Sequence, residues 1–307
     1  MKRVKYLFVF IAALLLVGCI STFAVTSVKT NNVLDKIDNV KNQKETIVKS
    51  INDYKEKNQQ IEKRKNKLKD EIKTIKAAQN GHKPNSNDDL IGPKTVYLTF
   101  DDGPSENTVK ILDVLKKYNA KATFFVTGCA KEQTKRELFK RIVDEGHSIG
   151  IHTYTHEYDE VYASEDAFFE DFNKMRDEIF EYTGVKTNIT RFPGGSNNTI
   201  SRKYGGKEIM KKLVNSVTEK GYKYFDWNVS SGDATGKPIT KEQLVQNVVS
   251  GSKNFNKAVV LCHDTIVKKV TASSVEDIVV QLQQAGYEFK GLDENSFAPQ
   301  FYKPDIK

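Results

Sequence analysis

Over residues 93–307 short β-rich runs alternate with stretches of helical period, and this alternation restricts the fold more than any other feature of the chain. TVYLTF at 95–100 reads as a strand and is followed by a helical pattern at 107–118. Strand 122–126, helix 132–144, strand 148–151 and helix 166–182 continue the series, then strand 188–192 and helix 208–220. Strand 223–225, helix 241–250, strand 258–261 and helix 274–285 close it. Strands joined through helices lie parallel, with the helices covering the sheet. Such a sheet is either open or rolled into a barrel, and in both cases the working side chains gather where strands end.

The part ahead of this domain has a different character. Lys2, Arg3 and Lys5 precede an apolar run from Tyr6 to Val28. About 23 residues at about 1.5 Å each are enough to cross a hydrocarbon core. Basic residues before the run hold the N-terminus in the cytoplasm and send the remainder outside. Two forms of tether fit residues 1–30. Leu16-Val17-Gly18-Cys19 has the look of a lipoprotein cleavage site, with lipid on Cys19; the apolar Ile20, Phe23, Val25 and Val28 instead continue an uncleaved anchor. Both readings put the chain at the cell membrane with its domain on the extracellular side.

Residues 31–80 carry a seven-residue repeat. Val40, Ile47, Tyr54, Ile61, Leu68 and Ile75 fall seven apart, while the companion positions Ile37, Lys44, Ile51, Asn58, Lys65 and Ile72 are only half apolar. A narrow seam flanked by Lys and Glu predicts a helical, coiled-coil-like stalk with self-association through the seam, or else a single amphipathic or partly disordered spacer. Residues 81–92, with Gly81, Pro84 and several Asn, read as a linker.

The formal charge of +8 invites a nucleic-acid reading, but its placement argues against one. Residues 1–93 hold 18 Lys/Arg against 10 Asp/Glu, leaving 48 − 18 = 30 basic and 40 − 10 = 30 acidic residues in 94–307. A domain without net charge has no field to gather phosphates, so no nucleic-acid partner is expected. Three cysteines, one of them in the apolar run, make no disulfide framework; Cys129 and Cys262 read as free, small core residues.

Groups capable of metal or acid–base chemistry collect at the strand ends. Thr99-Phe100-Asp101-Asp102-Gly103-Pro104 follows the first strand. Alone it is ordinary turn chemistry, although adjacent carboxylates in a partly buried site call for a cation or a proton. His152-Thr153-Tyr154-Thr155-His156 follows the third strand and holds two of the chain's five histidines. At i and i+4 on a helical turn both imidazoles reach one cation, and a carboxylate from the first loop completes a set suited to Zn²⁺. Arg191-Phe192-Pro193-Gly194-Gly195, Asp226-Trp227, Ser231-Gly232-Asp233 and Leu261-Cys262-His263-Asp264 end later strands in the same way.

In order and separation these motifs resemble those of the polysaccharide deacetylases, the NodB-homology carbohydrate esterases, over about residues 93–290. The resemblance implies a distorted (β/α) barrel as the catalytic domain at 93–290, leaving 291–307 as a C-terminal tail. It implies a divalent metal ion, Zn²⁺ first, on Asp102, His152 and His156. It implies Asp101 as general base, His263 as general acid, Arg191 paired with the base and Asp233 holding the arginine. Gly194 would offer the oxyanion its backbone N–H and Leu261 would line the acetyl-methyl pocket, while His147 would be structural. Two positions depart from the pattern: Gly194 stands where the family has an aromatic residue, and Ala234 where it has tryptophan. Trp227 either supplies the missing groove surface or is a plain core residue. The implied reaction is metal-dependent removal of N-acetyl groups from cell-wall polysaccharide, with peptidoglycan N-acetylglucosamine favoured by the tether. Other readings are deacetylation of poly-N-acetylglucosamine, chitin oligomers or xylan, and a non-catalytic wall-binding protein on the same fold.

Overall fold

The computed structural model describes residues 93–305 continuously and, ahead of them, scattered positions between 41 and 63. Two units separate along the chain, 1–83 and 84–307. In the first, every described position is helical and exposed. The expected anchor at 1–30, the linker at 81–92 and the apolar seam positions from Val40 to Ile75 lie outside the described residues. Among the described residues, no helix is long and apolar enough to cross a membrane.

The second unit is built on one parallel sheet. Its strands are β1 (Thr95–Asp101), β2 (Ala122–Val126), β3 (Ser148–Ile151), β4 (Ile189–Thr190), β5 (Lys223–Tyr224), β6 (Val229–Ser230), β7 (Lys257–His263) and β8 (Glu288–Phe289). They lie in the order β5-β4-β3-β2-β1-β7-β6, with β8 paired to Thr95 and Val96 at the start of β1. The helices are α1 (Glu106–Lys117), α2 (Glu132–Asp144), α3 (Tyr158–Val161), α4 (Glu165–Thr183), α5 (Arg202–Gly205), α6 (Ile209–Glu219), α7 (Lys241–Ser252) and α8 (Lys269–Gln284). The expected barrel is corrected in one respect: no pairing joins β5 to β6 among the described residues, so the sheet is a curled, open half-barrel. β4, β5 and β6 are two residues each, too short to carry a hydrogen-bonded ladder round to closure.

All seven residues of β1 and all five of β2 are buried, as expected for strands covered on both faces. Alternation sorts them. Val96, Leu98 and Phe100 face the large core with the helices, whereas Tyr97 joins Phe125, Ile189, Phe225, Val259 and Leu292 on the other side. Thr99 and Asp101 share the face of Tyr97, and Leu261 and His263 that of Val259. The functional groups therefore belong to the concave face, at its C-terminal rim.

Residues 291–305 are not a free tail. Leu292 is buried against the concave face, and its N–H donates to Thr123 Oγ1 at 2.8 Å. The Asp226 N–H reaches Pro299 O at 2.8 Å, and the Phe301 N–H reaches Asp226 Oδ2 at 2.7 Å. The compact domain thus runs past the expected boundary at 290 to residue 305. Helix α8 also starts five residues earlier than its pattern suggested, because the small Thr271, Ala272 and Ser274 are buried there without apolar bulk to mark a period. Cys262 is buried as expected, but Cys129 is exposed in the loop after β2, its Sγ 3.4 Å from Thr155 O.

Candidate metal centre and acid–base pair

Asp102, His152 and His156 converge. One donor atom from each lies within 4.8 Å of the other two. Asp102 Oδ1 stands 3.3 Å from His152 Nε2 and 3.1 Å from His156 Nε2. It is buried and has no aligned hydrogen-bond donor among the described residues. A buried carboxylate oxygen facing two ring nitrogens without a formed hydrogen bond fits a divalent cation shared by all three. Burial would raise the Asp102 pKa, but the close approach and charge of His152 and His156 outweigh it and hold the group well below the usual carboxylate range. Burial likewise lowers His156, and Asp102 overcomes it so that His156 is raised.

The backbone reaches this geometry by a route other than the expected helical turn. Asp102, Thr153 and His156 all have left-handed φ, at 72°, 81° and 61°. Such conformations cost on the order of 1–3 kcal/mol each in residues other than glycine, and persist only where the surroundings impose them. Here Asp171 of α4 imposes the bend. Its carboxylate accepts from the backbone N–H groups of Tyr154 and Thr155, the latter at 2.9 Å, and from Thr155 Oγ1 at 2.7 Å. On the ligand side, His152 Nδ1 is 2.8 Å from Arg191 O, a contact that turns Nε2 toward Asp102. Gly103 is required by close approach, since a Cβ there would come within 2.3 Å of Asp264 Oδ2.

Asp101 and Arg191 form a buried pair at 2.8 Å, with the arginine fully enclosed. Arg191 Nη1 also donates to Thr99 Oγ1 at 2.5 Å, Nε to Phe225 O at 2.9 Å and Nη2 to Asp226 O at 3.1 Å. The guanidinium lies against the Phe125 ring, 4.4 Å from its centroid. Asp101 Oδ1 is thus committed to the arginine, while Oδ2 points at the cation site, 3.9 Å from His152 Nε2.

The expected role of Asp233 is corrected. It does not hold Arg191, whose remaining partners are the carbonyls at the end of β5. It holds His263: Oδ1 is 2.8 Å from His263 Nδ1, and Oδ2 accepts from the His263 N–H at 2.8 Å and from Thr271 Oγ1 at 2.9 Å. The reason is topological. β6 pairs with β7, so the turn after β6 lies across His263 rather than near β4 and Arg191. Burial lowers the His263 pKa, but the hydrogen bond and charge of Asp233, then the charges of Asp101 and Asp102, raise it to about 9. The β1–β7 register sets His263 directly beside Asp101, which leaves its Nε2 at the mouth of the site.

This arrangement makes a pH prediction. The protonated imidazole is present below its pKa and lost as pH rises through it, so kcat/KM should fall on the alkaline side at or below about 9. A bound cation offsets Asp101 and Asp102, and the remaining upward push comes from Asp233. Asp233→Asn should therefore move the alkaline limb down by at least about one pH unit, toward ordinary histidine. A limb that stays in place would show that Asp233 does not set the acid's pKa.

Leu261 is buried on β7 behind His263. Gly194 sits exposed at φ 75°, and Trp227 is half-buried beside Gly195 and edge-on to Phe301, their ring centroids 5.0 Å apart. His147 lies at the opposite end of the sheet, where its Nδ1 accepts from the Ala122 N–H at 3.2 Å; burial lowers its pKa to about 4. Asp171 and Tyr158 escaped the sequence reading, and Asp226 was grouped there with the strand-end residues without a role of its own. Asp226 is fully buried and gathers Ser196 and Phe301 around the Gly194-Gly195 turn. No spacing marks any of the three, because each acts on a segment distant in the chain.

Comparisons with known proteins point to one family. A family profile described as polysaccharide deacetylase matches residues 91–225. The chain is 34% identical over 213 residues to a peptidoglycan-N-acetylglucosamine deacetylase of Bacillus cereus, covering 67% of this chain and 72% of that one. It is 32% identical over 216 residues to the peptidoglycan-N-acetylmuramic acid deacetylase PdaA of Bacillus subtilis, covering 69% and 75%. Among solved structures, the catalytic domain of a peptidoglycan N-acetylglucosamine deacetylase from Eubacterium rectale superposes with TM-score 0.66 at 46% identity, covering 69% of this chain and 94% of that one.

Proposed function

Because this chain belongs to the polysaccharide deacetylase family and is a deacetylating hydrolase, we propose that it removes N-acetyl groups from cell-wall glycan, with N-acetylglucosamine of peptidoglycan as the preferred sugar. The observation that carries this reading is the convergence of Asp102, His152 and His156 on one point, flanked by Asp101 and His263. The three residues would hold a divalent cation, Zn²⁺ first by its preference for imidazole and carboxylate in an open site. When bound, such an ion supplies Lewis acidity, polarising the acetyl carbonyl and lowering the pKa of the attacking water.

The protein's own groups carry the rest. Asp101 Oδ2 takes a proton from the water whose oxygen bonds to the acetyl carbon, and Arg191 keeps Oδ1 engaged so that a single oxygen is presented. His263 Nε2 gives its proton to the nitrogen as the C–N bond breaks, leaving acetate and a free amine. The Gly194 N–H serves the oxyanion, Leu261 the acetyl methyl and Trp227 the groove wall. Relatives named for N-acetylglucosamine and for N-acetylmuramic acid lie at similar identity, but the 46% identical domain is named for the former. The basic start and apolar run of residues 1–30, the stalk 31–80 and the linker 81–92 support a tether that holds the domain outside the membrane, within reach of the wall.

The test compares wall fragments, by mass spectrometry, from cells with and without the full chain, and locates the chain by membrane fractionation. Loss of acetyl from glucosamine, with the chain in the membrane fraction, is the expected result. Unchanged glucosamine acetylation would overturn the reading, and loss from muramic acid alone would transfer it to that sugar.

A further inference from the structure

The geometry points to Tyr158 as a further catalytic residue, its hydroxyl donating a hydrogen bond to the carbonyl oxygen of the acetyl group under attack. This inference rests on the deacetylase reading above. It starts from α3, the short helix that follows the second histidine. Tyr158 begins it and Tyr162 caps its end, with ring centroids 5.4 Å apart and edge to face, and both approach the 193–194 turn. Their hydroxyls have different fates. That of Tyr162 is enclosed and donates to Pro193 O at 2.8 Å, which fixes the turn. That of Tyr158 has no hydrogen-bond partner among the described residues and remains open to solvent.

The open hydroxyl is tightly located. Its ring packs edge-on against His156, the centroids 6.0 Å apart at an interplanar angle of 80°. A Cβ built on Gly194 would fall 2.5 Å from Tyr158 Oη. The hydroxyl therefore occupies the space that any side chain at 194 would fill, between a cation-site histidine and the residue assigned to the oxyanion. An unpartnered donor held by ring packing is preorganised: it need not reorient when charge develops on the carbonyl oxygen. The absence of a side chain at Gly194 is what admits it.

The experiment is Tyr158→Phe in the full chain, which keeps the ring against His156 and removes only the oxygen. Steady-state kinetics on an N-acetylglucosamine oligomer are read together with metal content and Tm. The expected result is a kcat lower by about 10²-fold, the usual effect of losing one such donor, with KM within about threefold. Metal content and Tm should stay at wild-type levels. A kcat within about twofold of wild type, or a loss confined to KM, would overturn the inference, as would a fall in kcat that tracks lost metal. Failure of the deacetylase reading looks different, because then the wild-type chain itself releases no acetate with Zn²⁺ supplied.

Discussion

Replacing Asp102 or His152 by alanine should abolish cation binding and acetate release together. The lost term is the Lewis-acid contribution, several kcal/mol at the transition state, so turnover should fall on the order of 10³-fold or more. Two measurements separate this from unfolding. Added Zn²⁺ should raise the Tm of the wild type by mass action and leave that of either variant unmoved. The metal-free wild type should retain its fold, since the core clusters and the Asp101–Arg191 pair do not pass through the cation. Asp102→Ala that still binds one equivalent of metal with wild-type affinity would show that the cation sits elsewhere. His156, the most exposed of the three, should lose less cation affinity when replaced by alanine.

His263→Ala should have the opposite signature, with metal retained and turnover lost. A positioned acid contributes about 10²–10⁴-fold, and an amide nitrogen, a poor leaving group, needs it most. The same variant should hydrolyse an aryl acetate at a rate near that of the wild type, because a phenolate leaves without a proton. Equal losses on amide and aryl ester would mean that His263 shapes the pocket rather than donating a proton. Asp233→Asn belongs to the same test: it leaves the imidazole in place and removes the carboxylate opposite Nδ1.

Much of this site was legible in the chain, for a local reason. Each motif ends a strand, and strand periodicity fixes which face its side chains occupy. Asp101, Asp102, His152, Arg191 and His263 could therefore be placed at strand ends before any coordinates, and the family resemblance joined them into one site. The strands β1 to β3 were also bounded within a residue. What failed did so where a segment takes its conformation from distant partners. The turn between His152 and His156 was expected to be helical, and Asp171 makes it a left-handed bend. Residues 291–305 have no period, yet they are tied to Asp226 and Thr123.

The sequence by itself determined a parallel α/β domain, and which carboxylates and imidazoles lie at its strand ends. Those features follow from alternation, helical period and residue chemistry, all of which act over a few neighbours. The tertiary structure decided which of those groups face one another. Asp233 serves His263 rather than Arg191, the sheet stays open at β5 and β6, and Tyr158 fills the space above Gly194. These are consequences of strand order and packing between segments far apart in the chain, and no local pattern encodes them.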